Sequence, residues 1–140
     1  MVDEVILAKA AIIERCLRRI DEEYAGQSEN LWRNWTKQDS ILLNLQRACQ
    51  ASIDLALRLI RLRRLGVPQD SREAFLILRD HGLLPPDLAD SLAAMAGFCN
   101  VAIHNYRALD LDIVEHILRH RLADFRRLVA LALQNLWPES

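Results

Sequence analysis

Within ten residues, Gly97-Phe-Cys-Asn-Val-Ala-Ile-His-Asn-Tyr106, the chain gathers a thiol, an amide, an imidazole and a phenol. Imidazole is the side chain whose unperturbed pKa lies nearest neutrality. His104 can therefore take a proton from a ribose hydroxyl or return one to a leaving group. Taken alone, the same residue types also fit a capping or buried histidine and a tyrosine at the core edge. Cys99 beside His104 suggests a thiol nucleophile, but no further group orients the histidine as a triad requires.

Three other sets of residues invite chemistry. Glu115, His116 and His120 put two imidazoles one helical turn apart, a spacing that can hold zinc. The order is not His-Glu-x-x-His, and no clearly placed pair of ligands completes four, so surface histidines are the expectation. His81, just before Gly82, reads as a charge partner for a helix C-terminus. Arg58, Arg61, Arg63 and Arg64 crowd seven positions without an acid. Such a run fits either bidentate phosphate contact or a solvated helix face. Trp32 and Trp35 can stack on bases, although tryptophans beside a helix start more often staple a loop onto that helix.

Positioning these residues requires long helices. Ile6, Ala10, Ile13, Leu17, Ile20 and Tyr24 recur at spacings of four and three, so a helix is predicted over about 3–25, with Asp3 as cap and Gly26 as stop. A polar loop is expected over 26–35. Thr36 with Asp39 resembles a capping box that opens a second helix ending near Leu65, with Leu42, Leu45, Cys49, Ser52, Ala56 and Leu59 inward. At 1.5 Å per residue it spans roughly 40 Å. Gly66-Val-Pro68 ends it. A short third helix is capped by Asp70 and directs Phe75 and Leu78 inward. Pro85-Pro86 starts a fourth, carrying Leu88, Leu92, Met95 and Ala96 into the Gly97–Asn100 segment. One last helix is expected from near Asp110, with Leu111, Val114, Leu118, Leu122, Phe125, Val129 and Ala132 on its stripe.

The fold class that follows is all-α: an antiparallel bundle of four long helices and one short one, as a single domain over 1–140. The bulk properties agree. The chain has 140 residues, with 51% hydrophobic and 26% charged residues, and only 4 Gly and 4 Pro to make turns. No stretch alternates β-branched with polar residues, which excludes an obvious sheet. The net charge of −1 conceals the fact that nearly all 18 basic residues are arginine. Cys16, Cys49 and Cys99 form no CxxC pair and no disulfide framework. With neither a secretion signal nor an apolar run near the ~20 residues that span a bilayer, a cytoplasmic location is expected.

The Gly97–Tyr106 segment resembles the signature of HepT proteins: an arginine, four residues, then His-x-Tyr, commonly within Gly-Phe-Arg-Asn-x-x-x-His-x-Tyr. Asp39-Ser-Ile-Leu-Leu-Asn-Leu-Gln46, Ala51-Ser-Ile-Asp54, Gly66-Val-Pro68, Ser71-Arg-Glu-Ala-Phe75 and Asp110-Leu-Asp-Ile-Val114 resemble HepT segments in the same order. The similarity covers nearly the whole length. It implies a HEPN-type helical bundle that pairs into a homodimer, with the motifs of both subunits facing a shared cleft. It also implies the toxin of a type VII toxin–antitoxin system, a metal-independent endoribonuclease without cofactor. The implied partners are RNA and an MntA-like nucleotidyltransferase antitoxin that adds AMP to the motif tyrosine.

Carried over by position, His104 matches the catalytic histidine, Tyr106 the modified tyrosine and Asn100 the asparagine after the motif arginine. Cys99 occupies the place of that arginine. A thiol supplies neither a permanent charge nor a fork of donors for phosphate. The loss is expected to remove several kcal/mol of transition-state stabilisation, on the scale of roughly 3–4 for one lost oxyanion donor. An attenuated nuclease is the implied activity. The alternative is a non-catalytic HEPN subunit that presents a nucleotide or substrate to a nucleotidyltransferase.

Overall fold

A computed structural model describes residues 3–104 and 110–135, with side chains for all of these except 100–104 and 135. The regular elements of the described residues are all helices, with no strand among them. Helix α1 (Glu4–Tyr24) starts where the Asp3 carboxylate accepts the Ile6 N–H at 3.1 Å. The sequence points to Gly26 as its stop, but Ala25 already adopts the left-handed conformation (φ 50°), with Gly26 following at φ 68°. The predicted loop over 26–35 instead holds a short helix, α2 (Ser28–Trp32).

Helix α3 (Trp35–Arg63) begins one residue before Thr36. Asn34, not Thr36, is the cap, and its side-chain oxygen accepts the Lys37 N–H at 3.0 Å. An asparagine side chain competes well for this role, so the Thr36–Asp39 pair lies inside the first turn. Helix α4 (Ser71–Asp80) is capped by Asp70, as its sequence indicates, at 2.8 Å from the Glu73 N–H. Helix α5 (Pro86–His104) is longer than expected and carries the whole Gly97–His104 segment in its last turns. The single last helix is in fact two: α6 (Leu111–His120), capped by Asp110, and α7 (Leu122–Asn135). Arg121 leaves helical geometry at φ −122°, and Asp124 then supplies the acid in the first turn of α7, where a negative charge is favourable.

The predicted stripes become the core. Ile6, Ile13, Leu17 and Ile20 of α1 meet Leu42, Leu45, Ala56 and Leu59 of α3, all fully or almost fully buried. α1 and α3 run antiparallel along most of their length, as the ion pairs Asp3–Arg58 and Lys9–Asp54 show. α5 packs on α4 and α3, and α7 closes the bundle against α1, α3 and α5. Phe75 and Phe125 are the largest fully buried side chains among the described residues. Among the described residues, no helix is long and apolar enough to cross a membrane.

Candidate functional site

The motif is carried by a helix, and this fixes its register. Asn100 and His104 occupy positions one turn apart near the end of α5. Their side chains are not described, and Tyr106 lies outside the described residues. Gly97, one turn earlier, is not forced by crowding. A Cβ there would stand 3.5 Å from the Arg72 Cδ, an ordinary contact.

Phe98 and Cys99 diverge by about 100° around the helix, and the consequence is visible. Phe98 joins a groove of about 530 Å³ between α5 and α6, with Ala94, Met95, Ile113 and Ile117 on its walls and Asp87, Asp90, Ser91, His116 and Arg121 beside them. Cys99 turns inward and is 3% exposed. Cys49 on α3 is buried as well, and the neighbouring Cys99 thiol together with burial pushes the Cys49 thiol well above its usual pKa. An interior gap of about 150 Å³, too narrow for water, adjoins Cys49 and Ser52, with Met95 and Ala96 on its α5 side. A thiol enclosed in this way is a poor nucleophile.

The arginine run divides. Arg58 is committed to Asp3: its Nε and a terminal nitrogen reach the carboxylate at 3.2 and 2.8 Å, fastening α3 to the cap of α1. Each partner stabilises the other's charge, so the Asp3 carboxyl is held below its usual range, with the Arg58 hydrogen bond as the main cause. Arg61, Arg63 and Arg64 are exposed. Arg64 also ends α3 in a left-handed conformation at φ 54°. From the level of Cys49, where Cys99 packs, the run stands roughly 14–22 Å further along α3. One subunit therefore does not bring these arginines to the motif turn.

One carboxylate, which the sequence shows only as a neighbour of His116, gathers several donors. Glu115 on α6 accepts hydrogen bonds from the Tyr24 hydroxyl at 2.6 Å, the Ser28 hydroxyl, and the Trp32 indole at 3.1 Å. Arg119 lies over the Tyr24 ring at 5.4 Å from its centroid and donates to Ser28 at 3.0 Å. Donors from Ser28, Tyr24 and Trp32 hold the Glu115 carboxyl down to about 2. Trp32 therefore ties α2 to α6 rather than stapling it to α3, and Trp35 is 80% exposed. The rings of His116 and His120 stand 5.0 Å apart on one face. No three His, Cys, Asp or Glu side chains converge as metal ligands among the described residues. The His81 ring nitrogen meets the Ile77 carbonyl at 3.0 Å, a C-terminal contact of the kind its position suggests.

The HepT-like family, described as ribonuclease HepT-like, matches residues 13–131. An mRNA nuclease HepT from Shewanella oneidensis is 42% identical over 127 residues, which cover 91% of this chain and 95% of that protein. A solved structure of a tri-AMPylated Shewanella oneidensis HEPN toxin in complex with an MNT antitoxin superimposes with a TM-score of 0.86. It is 41% identical and covers 92% of this chain and 96% of that one. A toxin–antitoxin structure with AMP-PNP gives a TM-score of 0.86 at 40% identity, covering 93% and 98%.

Proposed function

The chain belongs to the HepT-like ribonuclease family, and from that membership we propose that it is the toxin of a toxin–antitoxin pair. It acts as an endoribonuclease that an MntA-like nucleotidyltransferase silences by attaching AMP to Tyr106. The observation that carries this reading is the end-to-end correspondence with an AMPylated HEPN toxin at 41% identity. His104-x-Tyr106 stands intact in the matching segment. His104 moves the proton at the ribose hydroxyl or leaving oxygen, and Asn100, one turn away, contacts the histidine or the RNA. The fold is a single HEPN domain that pairs with a second copy. Leu43, Leu57 and Leu62, left exposed on α3, support pairing because the core of one bundle does not use them.

AMP on Tyr106 introduces a negative phosphate and a nucleoside two residues from His104. Repulsion of RNA phosphate and occupation of the site then silence the enzyme without refolding. Intact mass spectrometry after incubation with an MntA-like nucleotidyltransferase and ATP tests this. One or more AMP additions are expected, and the Tyr106→Phe variant should lose at least one. An unmodified mass under conditions that modify a HepT control overturns the reading.

The inward position of Cys99 favours a second reading, in which the chain is a non-catalytic partner of the nucleotidyltransferase. Without a guanidinium at this place, His104 has no charge partner for the scissile phosphate among the matched motif residues.

A further inference from the structure

We propose that His116 and His120 form a two-point chelate for a borderline divalent transition-metal ion of the zinc class, a binding site at the edge of the α5–α6 groove. Both imidazoles are exposed and stand one turn apart on α6. Their ring centroids are 5.0 Å apart, and the ring planes are tilted by 47° rather than stacked. A metal–nitrogen bond is about 2.05 Å, and a ring centre lies about 1.15 Å behind its nitrogen. Two rings on one ion thus stand about 5.2 Å apart at a tetrahedral angle and about 4.5 Å apart at a right angle. The observed separation falls between the two, so rotation about the side-chain bonds can complete the site without moving the helix. Unlike His81, whose ring nitrogen meets the Ile77 carbonyl at 3.0 Å, neither imidazole is engaged in a hydrogen bond among the described residues.

The donor set selects the ion. Neutral imidazole nitrogens suit zinc and its neighbours in the transition series, whereas magnesium and calcium seek oxygen. His116 lines the groove together with Asp87 and Asp90 of α5, but those carboxylates are held by Arg127 at 3.1 Å and Arg79 at 2.9 Å. Two protein ligands and water therefore make up the coordination. The guanidiniums nearest in sequence are drawn elsewhere: Arg119 donates to Ser28 at 3.0 Å, and Arg121 leans toward Asp124 at 3.9 Å. α6 ends at His120, and Arg121 leaves helical geometry at φ −122°. An ion that bridges residues 116 and 120 clamps this last turn. The unfolded chain does not hold the two rings at this spacing, so binding the ion favours the folded state. The site stands whether or not the chain cleaves RNA.

Protein stripped with a chelator is titrated with zinc chloride by isothermal calorimetry, with magnesium chloride as the control. One zinc ion per chain should bind, and magnesium should not. His116→Ala and His120→Ala should each weaken zinc binding by at least about tenfold, because loss of even an outer-shell partner of a metal site costs that much. His81→Ala should leave it unchanged. Zinc should also raise the midpoint of thermal unfolding of the wild type and of His81→Ala, and raise it less in the two α6 variants. Equal zinc affinity in the wild type and both α6 variants, with helical circular dichroism unchanged, would overturn the proposal, as would the absence of any zinc uptake.

Discussion

Replacing Glu115 with glutamine should destabilise this bundle by an amount that depends on pH. The carboxyl sits at about 2 against an ordinary 4.5 because Ser28, Tyr24 and Trp32 donate to it. At ~1.4 kcal/mol per pH unit, that difference corresponds to about 3 kcal/mol of preference for the charged form in the folded state. The side chain is 18% exposed, so solvent screening leaves about 2–3 kcal/mol. A folded-state pKa below the unfolded value gives stability that is fully present above about pH 5 and lost as the pH falls toward 2. Glutamine keeps one acceptor oxygen and turns an amide N–H₂ toward donors. Urea denaturation of both proteins across pH should show the full gap at pH 7. Roughly a quarter of it should be gone by pH 4 and more than half by pH 3. Equal stabilities at pH 7, or a gap that does not narrow in acid, would refute the claim that this charge locks α1, α2 and α6 together.

Asp3→Ala should lower stability by about 1 kcal/mol through loss of the α1 cap. Asp3→Asn should recover most of that in thermal melts, and an equal loss in both would shift the cause to the Arg58 ion pair. Changing Arg61 and Arg64 together to glutamate should weaken RNA binding and flatten its salt dependence, read from binding isotherms across a salt series. Unchanged binding would make the run a solvated face. Light scattering at micromolar concentration should give a dimer, and a monomer would count against pairing. Cys99→Arg should cost roughly 3–5 kcal/mol by overpacking the α3–α5 contact and burying a charge, yet raise RNA cleavage and toxicity, and His104→Ala in that background should abolish both. A folded, dimeric and inert Cys99→Arg protein would replace the nuclease reading with the partner-subunit one.

Periodicity and capping by themselves determined α1, α4 and the course of α3 and α5, the buried stripes and the Asp3 and Asp70 caps, because each depends on residues within a turn or two of one another; they missed α2. The run of short similarities, with His104 and Tyr106 among them, likewise placed the family without coordinates. Only the tertiary structure decided which distant residues meet. Glu115 gathers donors 83 to 91 positions earlier in the chain, and Arg58 reaches back 55 residues to Asp3. A one-dimensional pattern does not encode such convergences, since they depend on the direction and crossing of packed helices. The start of α3 and the break between α6 and α7 escaped for a local reason: several side chains compete there to satisfy a few unpaired N–H groups, and packing settles the contest. For the same reason Cys99, a motif position when read along the chain, is in space a core residue facing Cys49. A helix turns about 100° per residue, so adjacent positions face different surroundings.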